Sequence, residues 1–209
     1  EKKAYLLAVR LSDSRKLAAK QLEKSVIDEL AYLEMPKVRF KIDIKKSHSA
    51  DGKIRFTRSG IDDVEFLLSA NPGEPLKPLA KIASGGELSR IMLALKSVNA
   101  ADASGETLIF DEIDTGVSGK TSQKIGMRLR ALASANQVIC VTHSAQIAAE
   151  AHHQYLIRKN EKDGRVETSV TELEREGRIK EIARIMGGVN ITDKLLDSAA
   201  EMLDSADND

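Results

Sequence analysis

Apolar residues at Leu7, Leu11, Ala18, Leu22, Val26, Leu30 and Leu33 recur at spacings of three, four or seven, which predicts one long helix from Ala4 to Met35, ended by Pro36. Its other face carries Arg15, Lys16, Lys20, Glu23 and Lys24, so the helix either packs on its own domain or serves as a coiled-coil arm. The period then drops to two. In KVRFKIDIKK, Val38, Phe40, Ile42 and Ile44 alternate with Lys37, Arg39, Lys41, Asp43 and Lys45, predicting a half-buried strand with a basic outer face. A turn at Asp51-Gly52 leads to KIRFT, read as the second strand of a hairpin; DVEFLLSA is a third strand. NPGEPLKPLAKIA, with Pro72, Pro75 and Pro78, reads as an extended loop.

From Ser84 the pattern becomes helices alternating with short apolar strands. Helices are expected from Gly86 to Ala101 and from Lys120 to Ala133, and buried strands at Thr107 to Phe110 and Gln137 to Val141. This order predicts an α/β fold: a parallel sheet covered by helices, with antiparallel strands and the long opening helix added. A helical stretch near Gln146, a hairpin around Asp163-Gly164, and helices Arg178 to Met186 and Thr192 to Leu203 complete the pattern. The acidic tail, residues 205–209, reads as disordered.

Composition narrows the function classes. Aromatic residues make up 3% and Trp is absent, which argues against stacking platforms for single-stranded nucleic acid. Lys+Arg and Asp+Glu are both 32, so contact with nucleic acid requires a local patch. One cysteine, Cys140, excludes a disulfide within the chain and reads as a small buried hydrophobe. No apolar run reaches the roughly 18 residues of a membrane helix, so no membrane partner is expected. The chain opens on Glu1 within a helical pattern, and the expectation is a piece of a longer cytoplasmic protein.

Three constellations carry chemistry. In IASGGELSRIMLAL, Ser84 and Glu87 fit a capping box, and Gly85-Gly86 leaves the helix N–H groups uncovered, an arrangement that suits phosphate. In TLIFDE a strand runs into Asp111 and Glu112, placing two acids at the C-terminal edge of the sheet. There the first suits Mg²⁺ and the second an attacking water; Asp114 follows closely. VICVTHS ends a second strand at Thr142-His143, so His143 emerges at the same edge if the strands are neighbours. His48, His152 and His153 have no such setting. Gly119-Lys120-Thr121 imitates the end of a phosphate-binding P-loop, yet the position of its first glycine holds Asp114; the motif is read as a helix start.

The order of these blocks resembles the C-terminal half of an ABC-type ATPase head. SGGE followed by FDEID is similar to the branch of structural-maintenance-of-chromosomes (SMC) and related DNA-repair ATPases. NPGEPLKPLAKIASGGELSRIMLALK, IFDEIDTGVSGKT, VICVTHSAQIAA and ARIMGG carry the resemblance to a bacterial member acting on DNA double-strand breaks. The resemblance implies that residues 1–35 end a coiled-coil arm and 36–204 form the C-terminal lobe of the head. It implies Asp111 as the Walker B acid near Mg²⁺, Glu112 as catalytic glutamate and His143 as switch histidine. Ser84, Gly85, Gly86 and Glu87 would face ATP held by a second copy of the head. Further implied partners are the N-terminal half with the Walker A loop, DNA, and recombination proteins, in a nucleoid-associated protein. Two departures are Ser118 where many relatives carry Asp, and Ser144-Ala145 in the switch region. The other reading is a non-catalytic module that binds DNA or a partner through Lys37, Arg39, Lys41 and Lys45, with a vestigial nucleotide site.

Overall fold

The chain ends its first helix without a glycine. In α1 (Lys2–Tyr32), Met35 N–H reaches Leu30 C=O at 2.9 Å and Glu34 N–H reaches Ala31 C=O at 3.1 Å. These two bonds close a Schellman turn on Glu34, which adopts φ +61°. The computed structural model describes residues 2–81, 85–99, 105–162, 165–188 and 190–208. It divides into two units, Glu1–Asn99 and Ala100–Asp209.

In the first unit α1 packs against a three-stranded antiparallel sheet of order β1 (Arg39–Lys46), β2 (Asp62–Ser69) and β3 (Lys77–Pro78). The buried stripe of α1 is Ala8, Ser12, Ala19, Val26 and Leu30, whereas Leu7 and Leu11 of the expected stripe are exposed. Polar anchoring explains the shift. Ser12 Oγ donates to Asp62 at 2.8 Å and Arg15 donates to the same carboxylate at 3.0 Å. Gly60 also sits against the helix, where an added Cβ would come within 3.1 Å of Leu11 and Arg15.

The hairpin partner of β1 is DVEFLLSA, not KIRFT: Phe40 pairs with Leu68, Ile42 with Phe66 and Ile44 with Val64. That register matches apolar faces, and Phe40 and Phe66 meet edge to face at 5.6 Å. KIRFT is left with isolated bridges at His48–Ile54 and Thr57–Gly60. The outer face is mixed in charge and not basic, because the same register sets Glu65 opposite Asp43 and Asp63 opposite Lys45. Lys45 pairs with Asp43 at 2.6 Å, and Arg39 donates to the Glu74 carbonyl and to Ser69 at 3.4 Å. Within the proline-rich stretch, Lys77 and Pro78 add the short edge strand. Helix α2 (Gly85–Val98) closes the unit against α1, burying Ile91, Leu93, Ala94 and Leu95.

In the second unit β4 (Thr107–Phe110) and β5 (Gln137–Cys140) pair in parallel, linked by α3 (Gly119–Ala133). These strands are not buried on both sides. Phe110 is covered, whereas Ile109 is 69% and Ile139 44% exposed. Helix α4 (Ala145–Ala149) approaches α3 at Gly126, where a Cβ would lie 2.7 Å from Glu150 Cγ. A hairpin follows, β6 (Tyr155–Lys162) with β7 (Arg165–Glu172); its Asp163-Gly164 turn lies outside the described residues. Helices α5 (Arg175–Gly187) and α6 (Asp193–Asn208) bury Ile182, Ala183, Ala199 and Leu203 with Ala145, Ala148 and Ala149. The tail expected to be disordered continues α6 to Asn208, since Ala206 extends the buried stripe of Ala199 and Leu203. Among the described residues no helix is long and apolar enough to cross a membrane.

Candidate functional site

Parallel pairing in register decides where the chemistry falls. Phe110 stands opposite Cys140, and Val141 N–H donates to Phe110 C=O at 2.9 Å, so both strands end together. Asp111-Glu112 and Thr142-His143 therefore leave the same sheet edge, as the spacing predicts for neighbouring strands.

Asp111 and Glu112 are both exposed. Glu112 has φ +56°, in the left-handed region that costs a non-glycine residue on the order of 1 kcal/mol or more. Two bonds hold it there: its N–H donates to Asp111 Oδ1 at 2.9 Å, and its C=O accepts from Thr115 N–H at 3.1 Å. Such strain at a candidate catalytic residue fixes where the side chain leaves the loop. Asp111 offers an oxygen ligand suited to a hard cation. Among the described residues no group of three or more His, Cys, Asp or Glu converges as a metal cage.

The third acid plays a different part. Asp114 is buried, its side chain 2% exposed, and it follows Ile113, which is fully buried. Its Oδ2 accepts from Thr142 Oγ1 at 2.5 Å and from His143 N–H at 3.0 Å, and lies 3.4 Å from His143 Nδ1. The loop after β4 is thus tied to the loop after β5. Thr142 Oγ1 in turn accepts from Ser144 N–H at 3.0 Å, and Ser144 Oγ caps α4 through Ile147 N–H at 3.5 Å. His143 keeps its ring in the open, 82% exposed.

Cys140 lies beneath these loops, half-buried and not fully buried as expected. Burial, with the charges of Asp114 and Asp111 adding to it, pushes its thiol up to about 12. It is a neutral thiol at physiological pH and not a nucleophile.

The remaining sequence candidates separate. Gly85, Gly86 and Glu87 form the first turn of α2 in the first unit; Gly85 is exposed, Gly86 is buried, and Glu87 suits the positive end of the helix. Ser84 lies outside the described residues. Burial lowers the Arg90 guanidinium, an effect that Glu87 opposes. Ser118 is the N-cap of α3, accepting from Thr121 N–H at 3.4 Å, so Gly119-Lys120-Thr121 opens a helix as expected. His153 pairs with Glu172 at 2.9 Å on the exposed hairpin. Spacing alone did not reveal the Asp114 tie. Its one signal is an apolar Ile113 inside a polar loop, which marks a segment turning back into the core.

No family model matches the chain. It is 46% identical over 196 residues to the DNA repair protein RecN of Halalkalibacterium halodurans, a match covering 94% of this chain and 34% of the relative. It is 43% identical over 199 residues to that of Vibrio cholerae (95% and 35%) and 41% over 209 residues to that of Bacillus subtilis (96% and 36%). Among solved structures, the Smc head domain with a coiled coil and joint from Pyrococcus yayanosii aligns with TM-score 0.54 and 19% identity over 83% of this chain and 30% of that one. The Smc head with an extended coiled coil from Pyrococcus furiosus gives 0.50 and 20%, over 83% and 39%. These structures bear on the fold alone, that of an SMC head. The chain spans about a third of the length of the curated relatives it matches, and over that span it belongs to the RecN family.

Proposed function

We propose that this chain is the C-terminal part of an ATP-hydrolysing head that acts in DNA double-strand break repair and recombination. The observation that carries the reading is the single sheet edge from which Asp111, Glu112 and His143 all emerge. RecN relatives named as DNA repair proteins and the SMC-head fold support it.

The residues fit a magnesium nucleotide better than a resident metal. Mg²⁺ keeps several waters and binds through one or two carboxylates plus phosphates, and Asp111 supplies such a carboxylate. Bound there, Mg²⁺ would neutralise charge that develops on the phosphate oxygens. Glu112, fixed by its backbone, orients and deprotonates the attacking water. His143 hydrogen-bonds the attacking water beside the terminal phosphate. The α2 N-terminus with Ser84, Gly85 and Gly86 contacts the phosphate held by a second copy, so that ATP joins two heads and tethers DNA. The N-terminal half of the longer protein supplies the P-loop lysine and covers the bare side of β4 and β5, where Ile109 and Ile139 are exposed. Recombination proteins are further partners in the nucleoid.

The test is ATP hydrolysis by this chain alone and joined to that N-terminal half. Activity is expected only in the joined form, and Glu112→Gln should lower it by about 10² to 10⁴ while favouring the ATP-bound dimer. An inert joined form would leave a binding module with a vestigial nucleotide site, and hydrolysis undiminished by Glu112→Gln would remove Glu112 from the mechanism.

A further inference from the structure

We propose that Asp114 is the positioning residue for His143, holding the ring by Nδ1 so that Nε2 is presented to the attacking water; this rests on the reading of His143 given above. Its geometry is already asymmetric. Oδ2 alone meets Thr142 Oγ1, the His143 N–H and the His143 ring nitrogen, while the buried Oδ1 has no hydrogen-bond partner.

A purely structural tie between the two loops would not need a charge. The carbonyl of an asparagine could accept the same hydroxyl and N–H donors, and a neutral amide costs less to bury than a carboxylate. What the carboxylate adds is attraction for an imidazole N–H or an imidazolium. The basic group it faces is His143 Nδ1 at 3.4 Å, an ion-pair distance that a small ring rotation converts into a hydrogen bond. Which nitrogen of a histidine carries the proton is set by the partner of the other one. A carboxylate at Nδ1 therefore accepts from a proton held on that side and leaves Nε2, with its lone pair, as the outward acceptor of a ring that is 82% exposed. The tie is stiff at both ends. Ile113 is fully buried before Asp114, and Ser144 N–H anchors Thr142 from the start of α4.

The experiment compares Asp114→Asn, His143→Ala and the double variant in the full-length protein that contains this chain, by steady-state ATP hydrolysis. Asp114→Asn should lower kcat about ten-fold, the scale of losing a residue that orients a functional histidine. The KM for ATP should stay within about two-fold. In the His143→Ala background it should lower kcat no further, because the residue it positions is gone. An unchanged kcat in Asp114→Asn beside a slow His143→Ala overturns the proposal and leaves the function intact. An equal loss in both backgrounds overturns it too, since Asp114 would then act by another route. Full hydrolysis by His143→Ala, with Glu112→Gln inactive, refutes the role of His143 and the proposal with it. If Asp114→Asn does not fold, the ring ¹⁵N shifts of His143 in the unmodified protein decide: a protonated Nδ1 supports the proposal, and a bare Nδ1 refutes it.

Discussion

The strand pairs β1–β2 and β4–β5 are both apolar ribbons, yet one is finished within its unit and the other is not. In β1 the apolar positions alternate, so one face meets α1, burying Phe40 and Ile42 with Val38 just before the strand, and the other carries charges to water. In β4 and β5 the apolar residues run without alternation, and α3 packs against only one side of the pair. Leu108, Phe110, Val138 and Cys140 share one face; Ile109, Ile139 and Val141 are left exposed on the other. A continuous apolar strand demands two covers, and the described residues of its unit provide one. The functional edge belongs to the unfinished pair, which is why the reading above assigns the second cover to the same half that supplies the P-loop.

The largest effect should come from the finished pair. Phe40→Ala removes a ring that is 4% exposed and packs edge to face on Phe66. The expected cost is about 3 to 5 kcal/mol of stability, read from the urea midpoint at constant slope. A cost below about 1 kcal/mol would mean that this face is as bare as that of β4–β5, and the comparison would fail.

What the sequence made legible follows the same division. Element types were readable where one period dominated, as in β1, α3 and the βαβ order that brings Asp111 and His143 to one edge. Pairing was not, because KIRFT and DVEFLLSA present similar apolar spacing, and the choice between them rests on the burial of Ile61 and on the Arg15–Asp62 contact with α1. The α1 stripe was displaced for the same reason: Ser12, a polar residue that no hydrophobic count includes, is buried by its bond to Asp62. At the site, carboxylates at a strand end were visible but their division of labour was not. Asp111 and Glu112 stay in the open while Asp114 turns inward, because Ile113 beside it is drawn into the core. The end of α6 could have been read from Ala199, Leu203 and Ala206, whose spacing continues the stripe.

A smaller effect probes the covered side of the unfinished pair. With its thiol raised from 9.0 to about 12, Cys140 should react with a thiol reagent at pH 8 at least about 10²-fold more slowly in the native than in the unfolded chain. The sign of the linkage is set by the native state holding its proton more tightly. Stability attributable to Cys140 is present below pH 9 and falls as pH rises toward 12, and Cys140→Ser should flatten that part of the profile. Fast native labelling at pH 8 would show that the α3 side is open as well.

The smallest effect in this chain should be the most informative. Ile139 lies on the bare side of β5, 44% exposed, and Ile139→Ala removes surface that is already partly in water. In this chain the loss should stay below about 1 kcal/mol, in keeping with a residue that leaves little cavity behind. Joined to the N-terminal half, the same substitution should cost about 2 to 4 kcal/mol, because the methylenes it deletes would then be packed. Both measurements come from the same urea titration in the two forms. An equal small loss in each would mean that the second cover of β4–β5 is not the half that carries the P-loop, and the explanation for why the functional edge belongs to the unfinished pair would have to be abandoned.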